Sequence, residues 1–167
     1  MRLVRIPEDR VSVLIGKDGE TLERIQELLN VDISVKENDA EIDSEDPMEE
    51  LRAQNIVKAI GRGFPPEKAF RLLEDNSGLA VINIKNYAST DNSKRRLKGL
   101  VIGRDGETRR QFENMTDTEI AVYGKTVAIL GPLANVEVAK KAVEMLLETG
   151  SHSAAYKYLE NNLNAIV

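Results

Sequence analysis

The chain has 167 residues, 41% apolar and 31% charged, with a net charge of −5, which is room for one domain or two small ones and the composition of a soluble globular protein rather than a disordered or membrane one. It has no cysteine and a single histidine, His152, so a disulfide framework, a thiolate metal site and a cysteine nucleophile are excluded. No apolar run nears the ~18 residues of a membrane span, and residues 1–7 lack the h-region of a secretory signal, so a cytoplasmic location is expected.

In chain order, Leu3, Val4, Arg5 and Ile6 predict a short strand ended by Pro7. Val11, Leu14 and Ile15 stand at i, i+3 and i+4 and predict a short amphipathic helix that stops at Gly16. After Gly16-Lys17-Asp18-Gly19, Leu22, Ile25, Leu28 and Leu29 recur at helical spacing. Residues 31–35 alternate apolar and polar, residues 36–39 form a polar turn, and a second, poorer strand spans 40–43. Asp46-Pro47 opens a helix with Asp as N-cap and Pro at the first helical position; Ala53, Ile56, Val57 and Ile60 form its apolar face and Gly61 closes it.

Pro65-Pro66-Glu67 then opens a connecting helix carrying Ala69, Phe70, Leu72 and Leu73. Residues 79–84 predict a strand, the region of 93–101 a helix, and 107–115 a second helix after Gly103-Arg104-Asp105-Gly106. Strands at 119–123 and 126–130 join around Gly124-Lys125. A helix over 132–149 turns Ala139, Ala142, Val143 and Leu146 inward, with Gly131-Pro132 and Gly150 as punctuation. Residues 151–164 carry Ala155, Tyr158 and Leu159 at helical spacing.

The two halves are one unit repeated. Val13-Leu14-Ile15-Gly16-Lys17-Asp18-Gly19-Glu20-Thr21 returns as Leu100-Val101-Ile102-Gly103-Arg104-Asp105-Gly106-Glu107-Thr108, 87 residues later, and Asp32-Ile33-Ser34-Val35 aligns with Glu119-Ile120-Ala121-Val122 at the same offset. Each copy reads strand–helix–helix–strand–strand–helix. The expected division is a first module at 1–62, a connecting helix at 63–78, a second module at 79–150 and a C-terminal helix at 151–167 packed on the second. The two extra helices are expected to hold the modules in one orientation.

Charge is distributed unevenly between the copies. Residues 1–62 hold nine Lys/Arg against fifteen Asp/Glu, with a run of acids between Glu37 and Glu50, whereas residues 63–167 hold fourteen against thirteen. Lys94, Arg95, Arg96, Lys98, Arg104, Arg109 and Arg110 flank the second glycine loop. Local sign outweighs net sign where only a groove touches the ligand.

A helix, a Gly-basic-Asp-Gly loop and a second helix suit an anion. Glycines reach dihedrals closed to other residues, and the free N–H groups opening the second helix favour phosphate. Neither loop has the Gly-x-x-x-x-Gly-Lys-Ser/Thr spacing of a P-loop, nor the Gly-x-Gly-x-x-Gly after a strand that a dinucleotide site needs. The remaining reading is the loop that grips about four nucleotides of single-stranded nucleic acid.

Val13-Leu14-Ile15-Gly16-Lys17-Asp18-Gly19 and Gly99-Leu100-Val101-Ile102-Gly103-Arg104-Asp105-Gly106 resemble the signature of K homology (KH) domains of the first topological type. The resemblance spans nearly the whole chain. Residues 61–73 and 150–159 narrow it to the archaeal two-KH family that assists small-ribosomal-subunit assembly, related to the eukaryotic KH partner of the Nob endonuclease. It implies an α+β fold: two type I KH domains, each a three-stranded sheet backed by helices, plus linking and C-terminal helices.

Carried over, the phosphate-gripping loops fall on Gly16, Lys17, Asp18 and Gly19, and on Gly103, Arg104, Asp105 and Gly106. The aliphatic groove floors fall on Val13, Leu14, Ile15 and Ile33 and on Leu100, Val101, Ile102 and Ile120, for which plain core is an equal reading. Gly99 completes the second groove, and Ser12 in its place is expected to crowd the first. Lys94, Arg95, Arg96 and Lys98 add phosphate contacts.

The acidic run reads first as a solvated face, and His152 as a packing or surface residue. Glu20 and Glu107 suit helix starts rather than a metal. No nucleophile–base pair stands out. The expectation is a non-catalytic protein that binds single-stranded ribosomal RNA in small-subunit maturation, without cofactor or metal and as a monomer. The resemblance implies a PIN-domain endonuclease and a translation initiation factor subunit as partners. Alternatives are an adaptor in translation initiation or RNA decay, and a protein-interaction scaffold.

Overall fold

The computed structural model describes residues 1–166 and separates into two compact units, Met1–Asp75 and Asn76–Val167. Residue 167, the last of the expected C-terminal segment, lies outside the described residues.

The first unit runs β1 (Arg2–Arg5), α1 (Glu8–Ile15), α2 (Glu20–Leu29), β2 (Asp32–Lys36), β3 (Asp39–Asp43) and α3 (Pro47–Gly61). Its antiparallel sheet has the order β1-β3-β2. Alternation decides which face goes inward: Val4, Ile33, Ala40 and Ile42 are buried while Leu3, Arg5, Asp32, Ser34, Glu41 and Asp43 are exposed, as in a sheet with one wet face. Ile25, Leu29, Ala53, Ile56, Val57 and Ile60 supply the helical side of the core; full burial of such aliphatics stabilises by about 1.5–3 kcal/mol each for the larger ones.

The expected cap forms, with the Met48 N–H donating to Asp46 Oδ1 at 2.9 Å. Ile6, expected in the first strand, leaves the ladder; its N–H donates instead to Asn38 O at 2.8 Å. The two-residue turn Glu37-Asn38 joins β2 to β3 with Glu37 at φ 54°. The connecting segment is shorter than a 63–78 helix. It makes α4 (Pro66–Ala69) and a 3₁₀ turn, Phe70–Leu73, and clusters with the first unit. Arg10 fixes the exit from α3 by donating to Ile60 O and Phe64 O, each at 2.8 Å.

The second unit repeats the order as β4 (Ser77–Asn83), α5 (Asp91–Ile102), α6 (Glu107–Thr116), β5 (Glu119–Tyr123), β6 (Thr126–Pro132) and α7 (Leu133–Thr149), followed by α8 (His152–Asn162). The sheet order is β4-β6-β5. Here β4 begins two residues before the expected 79, because Ser77 and Gly78 pair with Pro132 and Gly131; the same pairing puts Pro132 in a strand and starts α7 at Leu133. Ile84 leaves the expected strand for a 3₁₀ turn, where the Asn83 side chain accepts the Lys85 N–H at 3.0 Å. α5 starts earlier than expected, capped by Thr90, whose Oγ1 accepts the Ser93 N–H at 3.1 Å. Ile82, Ile120, Val127, Ile129, Ala139, Val143 and Leu146 share one core with Ala155 and Leu159 of α8.

Candidate nucleic-acid interface

The two glycine loops are the same object built twice. Gly16 and Gly103 stand at φ 78° and 74°, Asp18 and Asp105 at 55° and 54°, and Gly19 and Gly106 both at 77°. The middle aspartates thus occupy the left-handed region, which Asp and Asn tolerate better than other side chains. In each loop the second glycine N–H donates to the carbonyl of the first, at 3.2 Å. Lys17 and Arg104 are exposed at the tips, beside the uncapped amides that open α2 and α6. Such a cluster of aimed N–H groups plus a cation is a phosphate cradle.

Behind each loop the post-loop helix is tied to the neighbouring edge strand. Gln26 Oε1 accepts the Ile33 N–H at 3.0 Å, and 87 residues on, Glu113 Oε2 accepts the Ile120 N–H at 2.8 Å. Glu113 also holds Arg109, Nη1 to Oε1 2.9 Å, so Arg109 is committed to its own helix. Arg110 lies over the loop; a Cβ on Gly106 would be 3.0 Å from its Nη1.

In each unit a cleft opens between the first helix and the β-hairpin turn. In the first unit it holds about 590 Å³ and is lined by Glu8, Val11, Ser12, Ile15, Glu37 and Asn38. In the second it holds about 290 Å³ and is lined by Asp91, Lys94, Arg95, Lys98, Gly124 and Lys125. Ser12 lines the larger of the two clefts, and at the matching position of the second unit a Cβ on Gly99 would meet no atom within 4 Å.

The structure places Ile15 in the first cleft and Lys94, Arg95 and Lys98 in the second. Arg96 is exposed on α5 outside the cleft lining. Leu14 and Val101 turn into the cores, as do Ile33 and Ile120, whereas Val13, Leu100 and Ile102 are half-buried. None of Lys94, Arg95, Arg96, Lys98 and Arg104 has an ion-pair partner among the described residues. Lys125 was absent from the residues expected at the site, whereas Arg110 was already expected to flank the second loop. The 87-residue offset places Lys125 opposite Asn38 in the hairpin turn, which is the signal that identifies it. Around the first loop, Arg10 is spent on backbone carbonyls and Arg24 lies 5.0 Å from the Phe70 ring centroid.

Known proteins share this architecture. A family model described as the eukaryotic-type KH domain (KH type I) matches residues 78–164, and the general KH-domain model matches residues 1–58. A KH domain-containing protein of Methanocaldococcus jannaschii is 45% identical over 99% of this chain and 75% of its own length. Dim2p of Pyrococcus horikoshii, in the crystal structure of an a/eIF2alpha–aDim2p–rRNA complex, superposes with TM-score 0.90 at 40% identity, covering 98% of this chain and 93% of that one. The structure of Dim2p from the same organism superposes at 0.88, again at 40% identity, over 96% and 98%. An Aeropyrum pernix protein of unknown function superposes at 0.94 with 37% identity, over 99% and 91%. Carrying two KH RNA-binding domains, the chain belongs to the type I KH family, as a two-domain protein of the PNO1/Dim2 kind.

Proposed function

We propose that this protein binds single-stranded ribosomal RNA, chiefly through its second unit, and presents an rRNA segment to a processing nuclease during small-subunit maturation. The carrying observation is the basic cleft of the second unit, where Lys94, Arg95, Lys98 and Lys125 converge with Asp91 within one KH fold with Arg104. On this reading Gly103, Arg104, Asp105 and Gly106 grip the phosphates, Gly99 leaves room for the strand, and Ile102 offers an apolar edge to a base. The rRNA in the complex of the 40%-identical Dim2p supports the choice of RNA. The translation factor in that same complex supports an initiation factor subunit as partner. The role is positioning, without catalysis.

The first unit is read as the weaker RNA site. Gly16, Lys17, Asp18 and Gly19 keep the loop, yet Glu8 and Glu37 line the cleft beside it and repel a phosphate chain.

Crosslinking in cells followed by sequencing of the bound RNA tests the reading. Small-subunit rRNA precursors should dominate the recovered fragments; a library dominated by messenger RNA would replace the reading with a translation or decay adaptor. Adding the protein to a PIN-domain nuclease and an rRNA precursor should accelerate cleavage, and unchanged cleavage would remove the presenting role.

A further inference from the structure

The two loops differ in what covers their second glycine. In the second unit, the point where a Cβ would stand on Gly106 lies 3.0 Å from Arg110 Nη1 and 3.9 Å from Arg109 Nη2. In the first, no atom comes within 4 Å of the same point on Gly19. The 87-residue offset sets Leu22 and Glu23 against Arg109 and Arg110. One backbone thus carries two guanidiniums in one unit, and an aliphatic side chain and a carboxylate in the other.

Arg109 is held in place. Glu113 Oε1 takes its Nη1 at 2.9 Å, while Glu113 Oε2 accepts the Ile120 N–H at 2.8 Å. A carboxylate anchored on the edge strand therefore fixes one nitrogen of Arg109 and leaves Nη2 on the side of the loop. Arg110 is exposed and has no hydrogen-bond or ion-pair partner among the described residues. Its guanidinium lies against the space that the missing side chain of Gly106 leaves open.

The nearby acids do not account for the arrangement. Glu107 accepts from Gln111 Nε2 at 3.3 Å, and Asp105 has its counterpart, Asp18, in the first loop. Neither arginine lines the basic cleft, so the pair is a separate concentration of charge.

We propose that Arg110, with Arg109 Nη2 beside it, binds a backbone phosphate of the RNA strand at the Gly106 end of the second loop. The proposal rests on the RNA-binding reading of that loop and adds α6 to the surface that RNA touches. A guanidinium is weakly hydrated and presents a fork of N–H donors that matches phosphate oxygens. Two like charges held close together repel; Glu113 offsets one of them, and an anion satisfies the other. Because Arg109 is fixed before RNA arrives, part of the ordering cost of binding is removed. Leu22 and Glu23 give the first loop no such site.

The test uses the full chain and a short single-stranded fragment of small-subunit rRNA, with affinity measured across a salt series and the thermal midpoint as a check on folding. Arg110→Ala should flatten the slope of log affinity against log salt by ~0.7 and lower affinity about threefold to tenfold, with the midpoint nearly unchanged. Arg110→Glu, which installs the first unit's residue, should lose more than about tenfold, and Arg110→Lys should keep the slope. Adding Arg109→Leu to Arg110→Ala should flatten the slope further; no further change removes Arg109 from the site. Lys141, exposed on α7, is the control, and Lys141→Ala should leave the slope as it is. An unchanged slope in Arg110→Ala overturns the proposal if Arg104→Asp weakens RNA in the same assay. If Arg104→Asp is silent too, the RNA reading of the loop falls and the Arg110 site falls with it. Equal flattening by Lys141→Ala and Arg110→Ala also overturns the site, because the RNA is then held by diffuse surface charge.

Discussion

Glu8, Val11, Ser12, Glu37 and Asn38 of the first cleft stand 87 residues before Arg95, Lys98, Gly99, Gly124 and Lys125 of the second unit. The backbone of the two loops agrees within a few degrees at every glycine and at the central aspartate. Duplication preserved the scaffold while the lining changed sign, from two carboxylates to three cations at matched positions. The difference separates two kinds of residue that a signature motif merges: those that shape the loop, present in both units, and those that charge the cleft, present in one.

The shared scaffold should fail in the same way in both units, and by the most. Gly103→Ala and Gly16→Ala each force a Cβ into the supporting threonine at a φ above 70°, for an expected loss of about 3 kcal/mol in the affected unit, measured by chemical denaturation. Gly106→Ala meets only side-chain ends, those of Arg110 and Arg109, and should cost about 1 kcal/mol. If Gly16→Ala were harmless while Gly103→Ala unfolded its unit, the loops would not be structural equivalents.

The diverged lining should fail in one unit only. Arg104→Asp sets two negatives side by side at the loop tip, and single-stranded RNA affinity should drop at least tenfold, ~1.4 kcal/mol, with the thermal midpoint nearly unchanged. Lys17→Asp should cost less than about threefold. A filter-binding titration of both variants at one salt concentration decides between them.

Individual cations sharpen the comparison further. Each Lys or Arg that neutralises a phosphate of a single strand contributes ~0.7 to the slope of log affinity against log salt. Arg95→Ala, Lys98→Ala and Lys125→Ala should each flatten the slope by about that amount, and Arg96→Ala, outside the cleft, by less. Equal effects from Arg95 and Arg96 would mean that a diffuse basic helix face binds the RNA, and a duplex of the same sequence would then compete as well as the single strand. The smallest effect is expected of Glu113→Gln. It keeps an oxygen for the Ile120 N–H, as Gln26 does for Ile33, and loses only a partly exposed ion pair worth under about 1 kcal/mol.

The fold was legible because its signals are local and occur twice. Gly16 and Gly103, Asp46-Pro47 and the Ala53/Ile56/Val57/Ile60 face each carry a physical instruction that does not depend on the rest of the chain. Strand ends were less so: whether Ser77 and Pro132 pair is decided by the partner strand, and Ile84 leaves the strand for a 3₁₀ turn in which the Asn83 side chain accepts the Lys85 N–H. At the site, glycine spacing located the loops, but helix periodicity alone did not separate Arg95 and Lys98 from Arg96. Leu14 and Val101 were equal candidates for groove and core until their burial placed them in the cores. Lys125 lies 27 residues beyond Lys98 in the chain and joins its cleft only once the hairpin folds back.

The most direct test is a titration of a short single-stranded rRNA fragment into the protein labelled at backbone amides, followed residue by residue. At substoichiometric RNA the amides of Gly103–Gly106, with Ile120 and Gly124-Lys125, should shift first, and those of Gly16–Gly19 should stay in place until RNA is in excess. Shifts at Gly16–Gly19 that precede or match those at Gly103–Gly106 would contradict the assignment of the main RNA site to the second unit.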